Sequence, residues 1–166
     1  KEFLELLGAF DRFQPAQYLF SSHNSDPGHG EIVELTRDYC KRNPEAHVLE
    51  SMGQDLYLSS MVYVNGIVGN SSSGLLEAPA AGVGSIDVGD RQKGRIKPSS
   101  VISVPAERDA IHAALAEITS AEYLASLASI ENPYDGGESS EKILRVLEEV
   151  DFSRLLSKPF FDGVHE

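Results

Sequence analysis

Phe3, Leu4, Leu6, Leu7 and Phe10 recur at helical spacing and predict a short amphipathic helix over residues 2 to 12. QYLFSS, residues 17 to 22, reads as a buried strand between Pro15 and the turn-rich HNSDPGHG. From Glu31 to Arg42 the apolar positions Ile32, Val33, Leu35, Tyr39 and Cys40 mark a second helix, punctuated by Pro44. HVLES (47 to 51) is the next strand, DLYLSSMVYV (55 to 64) a helix and GIVGN (66 to 70) a short strand. SGLLEAPAAG (73 to 82) predicts a helix, and SIDVG (85 to 89) and VISV (101 to 104) predict strands. Ile111, Ala114, Leu115 and Ile118 form a helical stripe. The polar break NPYDGGESS (132 to 140) precedes a last helix with Ile143, Leu147 and Val150 on one face.

Short strands alternating with helices of about ten residues argue for a parallel sheet covered on both faces. No internal repeat, low-complexity run or long linker interrupts the pattern. The expected architecture is α/β: one Rossmann-like, doubly wound domain over residues 1–166. Ligands of such sheets bind beyond the carboxyl ends of the strands. Three loops stand there: HNSDPGHG, SMGQ and GNSSSG.

Composition narrows the possible partners. The 166 residues carry 26 acidic and 14 basic side chains, a formal net charge of -12. Such a surface repels nucleic acid and anionic membrane, and no apolar run is long enough to span a bilayer. The single cysteine, Cys40, excludes an intrachain disulfide and a thiolate metal site, and fits a reducing cytoplasm. The five histidines are not spaced as a metal site. His112 reads as structural, whereas His23 stands in a candidate ligand loop. Lys1 leads directly into a helical pattern, as expected of a piece of a longer protein.

GNSSSG, residues 69 to 74, concentrates the candidate chemistry. A helix starting within Ser71, Ser72 and Ser73 offers free N–H groups and a partial positive charge to an anion. The hydroxyls add donors, and Gly74 would let a ligand approach the backbone closely. This is a diphosphate cradle, or else one serine is an N-cap and the others are small polar residues. Glu77 can accept two hydrogen bonds from a vicinal diol such as a ribose, or simply favour the helix start. Arg91, Lys93, Arg95 and Lys97 follow the next strand. They are a local basic knot for a small anion, or a solvated loop. Arg91 is the best placed for two phosphate oxygens, and Lys97, farther along, is assigned to solvent. No serine has a nucleophile-elbow context. GVGSIDVG leads into a strand rather than leaving one, which rejects a dinucleotide fingerprint.

IVGNSSSGLLEAP followed by DVGDRQKGR resembles the C-terminal domain of the hydrolysing UDP-N-acetylglucosamine 2-epimerases of the sialic and legionaminic acid pathways. HNSDPG and NPYDGGESSEKIL resemble two further family segments, so the likeness runs from about Gln17 to Val150. It implies one half of a glycosyltransferase-B type two-domain enzyme, with the nucleotide sugar between the halves and UDP held by this one. Ser71 and Ser72 match the diphosphate-binding residues, with Ser73 beside them, and Glu77 matches the ribose-binding residue. Arg91 matches the basic residue of the second motif and Asn24 the asparagine of the first loop, while Met52 lies where backbone groups bind uracil. The implied reaction eliminates UDP to leave a 2-acetamidoglucal, then adds water to give N-acetylmannosamine, without metal or other cofactor. The implied acid and base lie mainly in an N-terminal domain outside this chain, so no catalytic residue is assigned here. His23 replaces a usual proline, and Asp87 a usual asparagine. A cytoplasmic enzyme, homo-oligomeric at full length, is expected. The alternatives are a non-hydrolysing epimerase, a related glycosyltransferase, or a non-catalytic nucleotide-binding regulatory module.

Overall fold

The first apolar stripe forms α1, Glu2–Arg12, which buries Leu6, Leu7, Ala9 and Phe10. Glu2 and Glu5 occupy its first turn and Arg12 its last, the charge order that suits the helix dipole. The computed structural model describes residues 1–21 and 29–156. Along it follow β1 (Tyr18–Ser21), α2 (His29–Arg42), β2 (Ala46–Leu49), α3 (Gly53–Met61), β3 (Ile67–Gly69) and α4 (Ser73–Ala80). The remainder comprises β4 (Ser85–Val88), β5 (Val101–Val104), α5 (Arg108–Ile118), α6 (Ala121–Ser126) and α7 (Ser139–Glu149), with short 3-10 turns at Leu127–Ser129 and Phe152–Leu156. The chain divides into two compact units, Lys1–Tyr134 and Asp135–Glu166. The second unit contains α7, an amphipathic helix on which Ile143, Leu144, Val146 and Leu147 are exposed.

Among the described residues all strand pairings are parallel, as the alternation of elements predicts. The backbone ladder of these residues nevertheless falls into two sheets, β1–β2 and β3–β4–β5, rather than one continuous sheet. Side chains join what the ladder leaves separate: Phe20 of β1 and Ile86 of β4 belong to one buried cluster with α1 and α5. Aromatic packing dominates its β1 side. Phe10 stacks on Tyr18 with ring centroids 4.3 Å apart, and Phe20 meets Tyr39 edge-on at 5.8 Å. Burial pushes both phenols above the ordinary tyrosine range. Tyr18 still finds a partner, its hydroxyl donating to the Phe13 carbonyl at 2.8 Å.

β4 is covered on both faces, and alternation along the strand assigns each residue its side. Ile86 joins the α1–α5 core, whereas Ser85 faces α4 and donates to the Gly74 carbonyl at 2.6 Å. α4 closes with paired backbone bonds, Val83 N–H to Ala78 O at 2.9 Å and Gly82 N–H to Pro79 O at 3.1 Å. Gly82 supplies the left-handed residue at φ +70° that such a helix end requires.

Boundaries of α2 and α3 differ from those expected, and α6 is an additional helix. α2 begins at His29, two residues early. α3 stops at Met61, because the β-branched Val62 and Val64 flank a turn closed by Tyr63 N–H to Ser60 O at 3.0 Å. At six residues α6 is too short to show periodicity. It is fastened instead by Ser120, whose hydroxyl accepts the Tyr123 N–H at 3.2 Å. Tyr123 then reaches across to donate to the Ser100 carbonyl at 2.7 Å.

Ile111 is 0% exposed at the centre of the core, while Leu56 on α3 is 53% exposed. Ile111→Ala is therefore expected to lower unfolding free energy by about 2–5 kcal/mol. Leu56→Ala should stay within about 0.5 kcal/mol. Urea denaturation of both variants checks the contrast.

Candidate functional site

The strand β3 ends at Gly69, Asn70 and Ser71 turn the chain, and α4 starts at Ser73. Ser72 is the N-cap residue, yet its hydroxyl bonds to no helix N–H. Ser71 Oγ instead accepts the Ser73 N–H at 3.3 Å. Ser71 is exposed and Ser72 half-exposed, so both hydroxyls are open to an incoming ligand. The third serine behaves differently. Ser73 is 8% exposed and pairs with the Tyr57 hydroxyl at 2.7 Å, fastening the start of α4 to α3.

Gly74 does not serve the role expected of it. It is buried, and a Cβ there would stand 3.2 Å from both Cβ and Oγ of Ser85. Its lack of a side chain lets α4 lie close on β4; it opens no path for a ligand. Glu77 follows one turn after Ser73. Its Oε2 is buried and has no hydrogen-bond partner among the described residues. A buried carboxylate oxygen without a donor is uncommon in native proteins, and a diol hydroxyl would satisfy it.

The loop after β4 departs further from expectation. Lys97 is not a solvated charge: its ammonium donates to Asp87 Oδ2 at 2.7 Å and to Ser103 Oγ at 2.7 Å. The side chains of Lys97 and Asp87 are 25% and 1% exposed. A carboxylate that deeply buried requires a counter-charge, and Lys97 is the group within reach. Arg91 is exposed on the same loop. Its neighbour Gln92 is 3% exposed and donates through Nε2 to the Asn70 carbonyl at 2.6 Å. Gln92 thus ties the Arg91 loop to the serine loop, a role that sequence reading missed. The signal was an uncharged polar residue within the charged run DRQK.

These links gather Ser71, Ser72, Glu77 and Arg91 on segments that leave the ends of β3 and β4. Met52 stands half-buried before α3, the helix that Tyr57 joins to α4. Asn24 and His23 lie outside the described residues. Under the serine loop is a cavity of about 20 Å³ lined by Gly69, Ser71, Gly74, Ser85 and Asp87 among others, room for one water. A larger groove of about 380 Å³ runs along α1 and α2, but its Arg42 is engaged by Asp11 at 3.4 Å and by the Tyr39 ring at 4.8 Å. Among the described residues no group of three or more His, Cys, Asp or Glu is placed to hold a metal ion. No described helix is long and apolar enough to cross a membrane.

Lys97→Ala should destabilise the chain by about 3 kcal/mol, because it leaves the Asp87 carboxylate buried and unpaired. Lys93→Ala, an exposed position on the same loop, should stay within about 0.5 kcal/mol. Chemical denaturation separates the two lysines, and equal costs would contradict the ion pair.

The family model described as UDP-N-acetylglucosamine 2-epimerase matches residues 1–148. The chain is 33% identical over 159 residues to the polysialic acid biosynthesis protein P7 of Escherichia coli, covering 95% of this chain and 40% of that protein. It is 34% identical over 164 residues to the hydrolyzing GDP/UDP-N,N'-diacetylbacillosamine 2-epimerase of Campylobacter jejuni, covering 98% of this chain and 42% of that one. The fold is shared with the Methanocaldococcus jannaschii UDP-GlcNAc 2-epimerase solved with UDP-GlcNAc and UDP. That likeness has a TM-score of 0.71 at 19% identity, over 89% of this chain and 40% of the other. The Neisseria meningitidis UDP-GlcNAc 2-epimerase solved with UDP-GlcNAc gives a TM-score of 0.67 at 20% identity, over 90% and 40%. The chain thus spans about two fifths of the length of these relatives. With its paired loop motifs at the ends of β3 and β4, it belongs to the UDP-N-acetylglucosamine 2-epimerase family.

Proposed function

We propose that this chain is the UDP-binding domain of a hydrolysing UDP-N-acetylglucosamine 2-epimerase. The observation that carries the reading is the serine loop. Two open hydroxyls, Ser71 and Ser72, stand at the start of α4, and one turn on lies a buried Glu77 oxygen with no donor. A nucleoside diphosphate complements both features, offering anionic oxygens to the first and ribose hydroxyls to the second.

On this reading Ser71 and Ser72 donate to the diphosphate and Arg91 adds a two-pronged charged contact. Ser73 contributes by fixing the loop through Tyr57. Glu77 accepts from the ribose, backbone groups at Met52 meet the uracil, and Asn24 joins from the first loop. The sugar faces a second domain that holds the acid and base. There a proton leaves C2 and the C1–O bond to UDP breaks, leaving a 2-acetamidoglucal. Water then adds to give N-acetylmannosamine. Relatives named as hydrolyzing support the water step. The reading includes a cytoplasmic location, supported by the one free cysteine, Cys40, whose thiol burial pushes up and makes less reactive.

A second reading concerns the sugar. The relatives from Campylobacter jejuni and Legionella pneumophila are named for N,N'-diacetylbacillosamine, and the former for GDP as well as UDP. Calorimetric titration of UDP, GDP and UMP into the chain tests the base and phosphate preference. UDP is expected to bind most tightly, and a GDP preference would replace the uridine assignment.

Three outcomes follow from the assigned roles. Without the opposing half of the cleft, the chain should release no UDP from UDP-N-acetylglucosamine; turnover matching that of a two-domain enzyme would refute the domain assignment. Glu77→Gln should weaken UDP by about 1–3 kcal/mol while leaving pyrophosphate binding unchanged. Arg91→Lys keeps the charge but loses the planar fork, so UDP should still bind more weakly. Calorimetry reads both, and an unaffected Arg91→Lys would move the phosphate site elsewhere.

A further inference from the structure

Gln92 is a buried side chain that the assigned roles leave unused. It sits between two exposed cations, Arg91 and Lys93, yet is itself 3% exposed. Its Nε2 donates to the Asn70 carbonyl at 2.6 Å, while its Oε1 is buried with no partner among the described residues. A residue selected for stability alone would not keep that oxygen, because an unsatisfied buried acceptor is costly. Methionine fills a similar volume without it.

The backbone shows what the bond controls. Lys93 N–H donates to the Asp90 carbonyl at 3.0 Å, closing a four-residue turn with Arg91 and Gln92 at its centre. A second bond, Arg95 N–H to Gln92 O at 3.2 Å, begins at the same residue. With both central residues in one tight turn, fixing Gln92 inward fixes where Arg91 leaves the backbone. The far end of the loop is anchored too, by Lys97 on Asp87 and by the Tyr134 hydroxyl donating to Ile96 O at 2.7 Å. Asn70, at the other end of the Gln92 bond, directly precedes Ser71. One hydrogen bond therefore sets the spacing between the arginine and the serine hydroxyls.

We propose that Gln92 is a positioning residue: it holds Arg91 in register with Ser71 and Ser72, so that a diphosphate meets all three at once. The inference rests on the nucleotide reading above and extends it to a residue that touches no ligand. It also implies that Arg91 acts from a preset position and is not recruited from a mobile loop.

The test is a double-mutant cycle on UDP affinity with the parent chain, Arg91→Ala, Gln92→Met and the double variant, each also melted thermally. In the presence of Arg91, Gln92→Met should weaken UDP about five-fold. In the Arg91→Ala background it should have no further effect, because the residue it positions is gone. The melting temperature should change little, since the substitution also removes the orphaned oxygen. An equal loss in both backgrounds would overturn the proposal and leave Gln92 a general support of the loop. If Gln92→Met fails to fold, the isosteric Gln92→Glu, which replaces the donor by a repelled oxygen, must show the same coupling. A parent chain that does not bind UDP overturns the nucleotide reading and this inference with it. That failure is recognisable before any Gln92 variant is compared.

Discussion

The carboxylate of Asp87 on the central strand β4 is the constraint around which the edge carrying the candidate site is arranged. At 1% side-chain exposure a carboxylate is costly to bury without a cation at contact distance, and Lys97 provides one at 2.7 Å. That pairing closes the loop after β4 on itself. The loop joins two parallel strands without a helix, so its course is set by side-chain anchors, of which Lys97 is the charged one. Gln92 adds a second anchor, on the backbone of the neighbouring loop. The basic run is consequently a fixed arm rather than a diffuse cloud of charge.

Close packing beneath the serine loop follows from the same strand. β4 turns Ser85 and Asp87 to one face and Ile86 to the other, so its polar side meets α4 while its apolar side meets the α1–α5 core. Gly74 permits the approach of α4, and Ser85 donates to its carbonyl across the contact. Division of labour among three consecutive serines then becomes intelligible. Ser73 is turned inward to Tyr57, leaving Ser71 and Ser72 at the surface.

Unsatisfied buried acceptors recur along this edge: Glu77 Oε2, Asp87 Oδ1 and Gln92 Oε1. Native proteins carry few such atoms, and each is an acceptor in want of a donor. On the proposed reading a ribose hydroxyl meets the first. The cavity beside Asp87 has room for a water that would meet the second. The third is tolerated because the other end of the same amide is needed. Stability is thus given up locally where geometry matters, as expected of a binding site.

The sequence by itself determined the order of most elements, the parallel class and the two loops after β3 and β4 that Gln92 ties together. Helical stripes such as Ile111, Ala114, Leu115 and Ile118, and short apolar strands such as VISV, carry that information locally. The paired motifs around Ser71 and Arg91 also identified the family, since each occupies a strand-to-loop junction. Only the tertiary structure decided which of those residues are accessible. Periodicity is silent on whether a loop lysine meets water or a buried aspartate ten residues back, so Lys97 was misassigned. It is equally silent on the break between the two sheets, across which one buried cluster holds both Phe20 and Ile86. Gln92 was illegible for the same reason: its partner is a backbone carbonyl 22 residues away, and no local pattern records a contact made by folding.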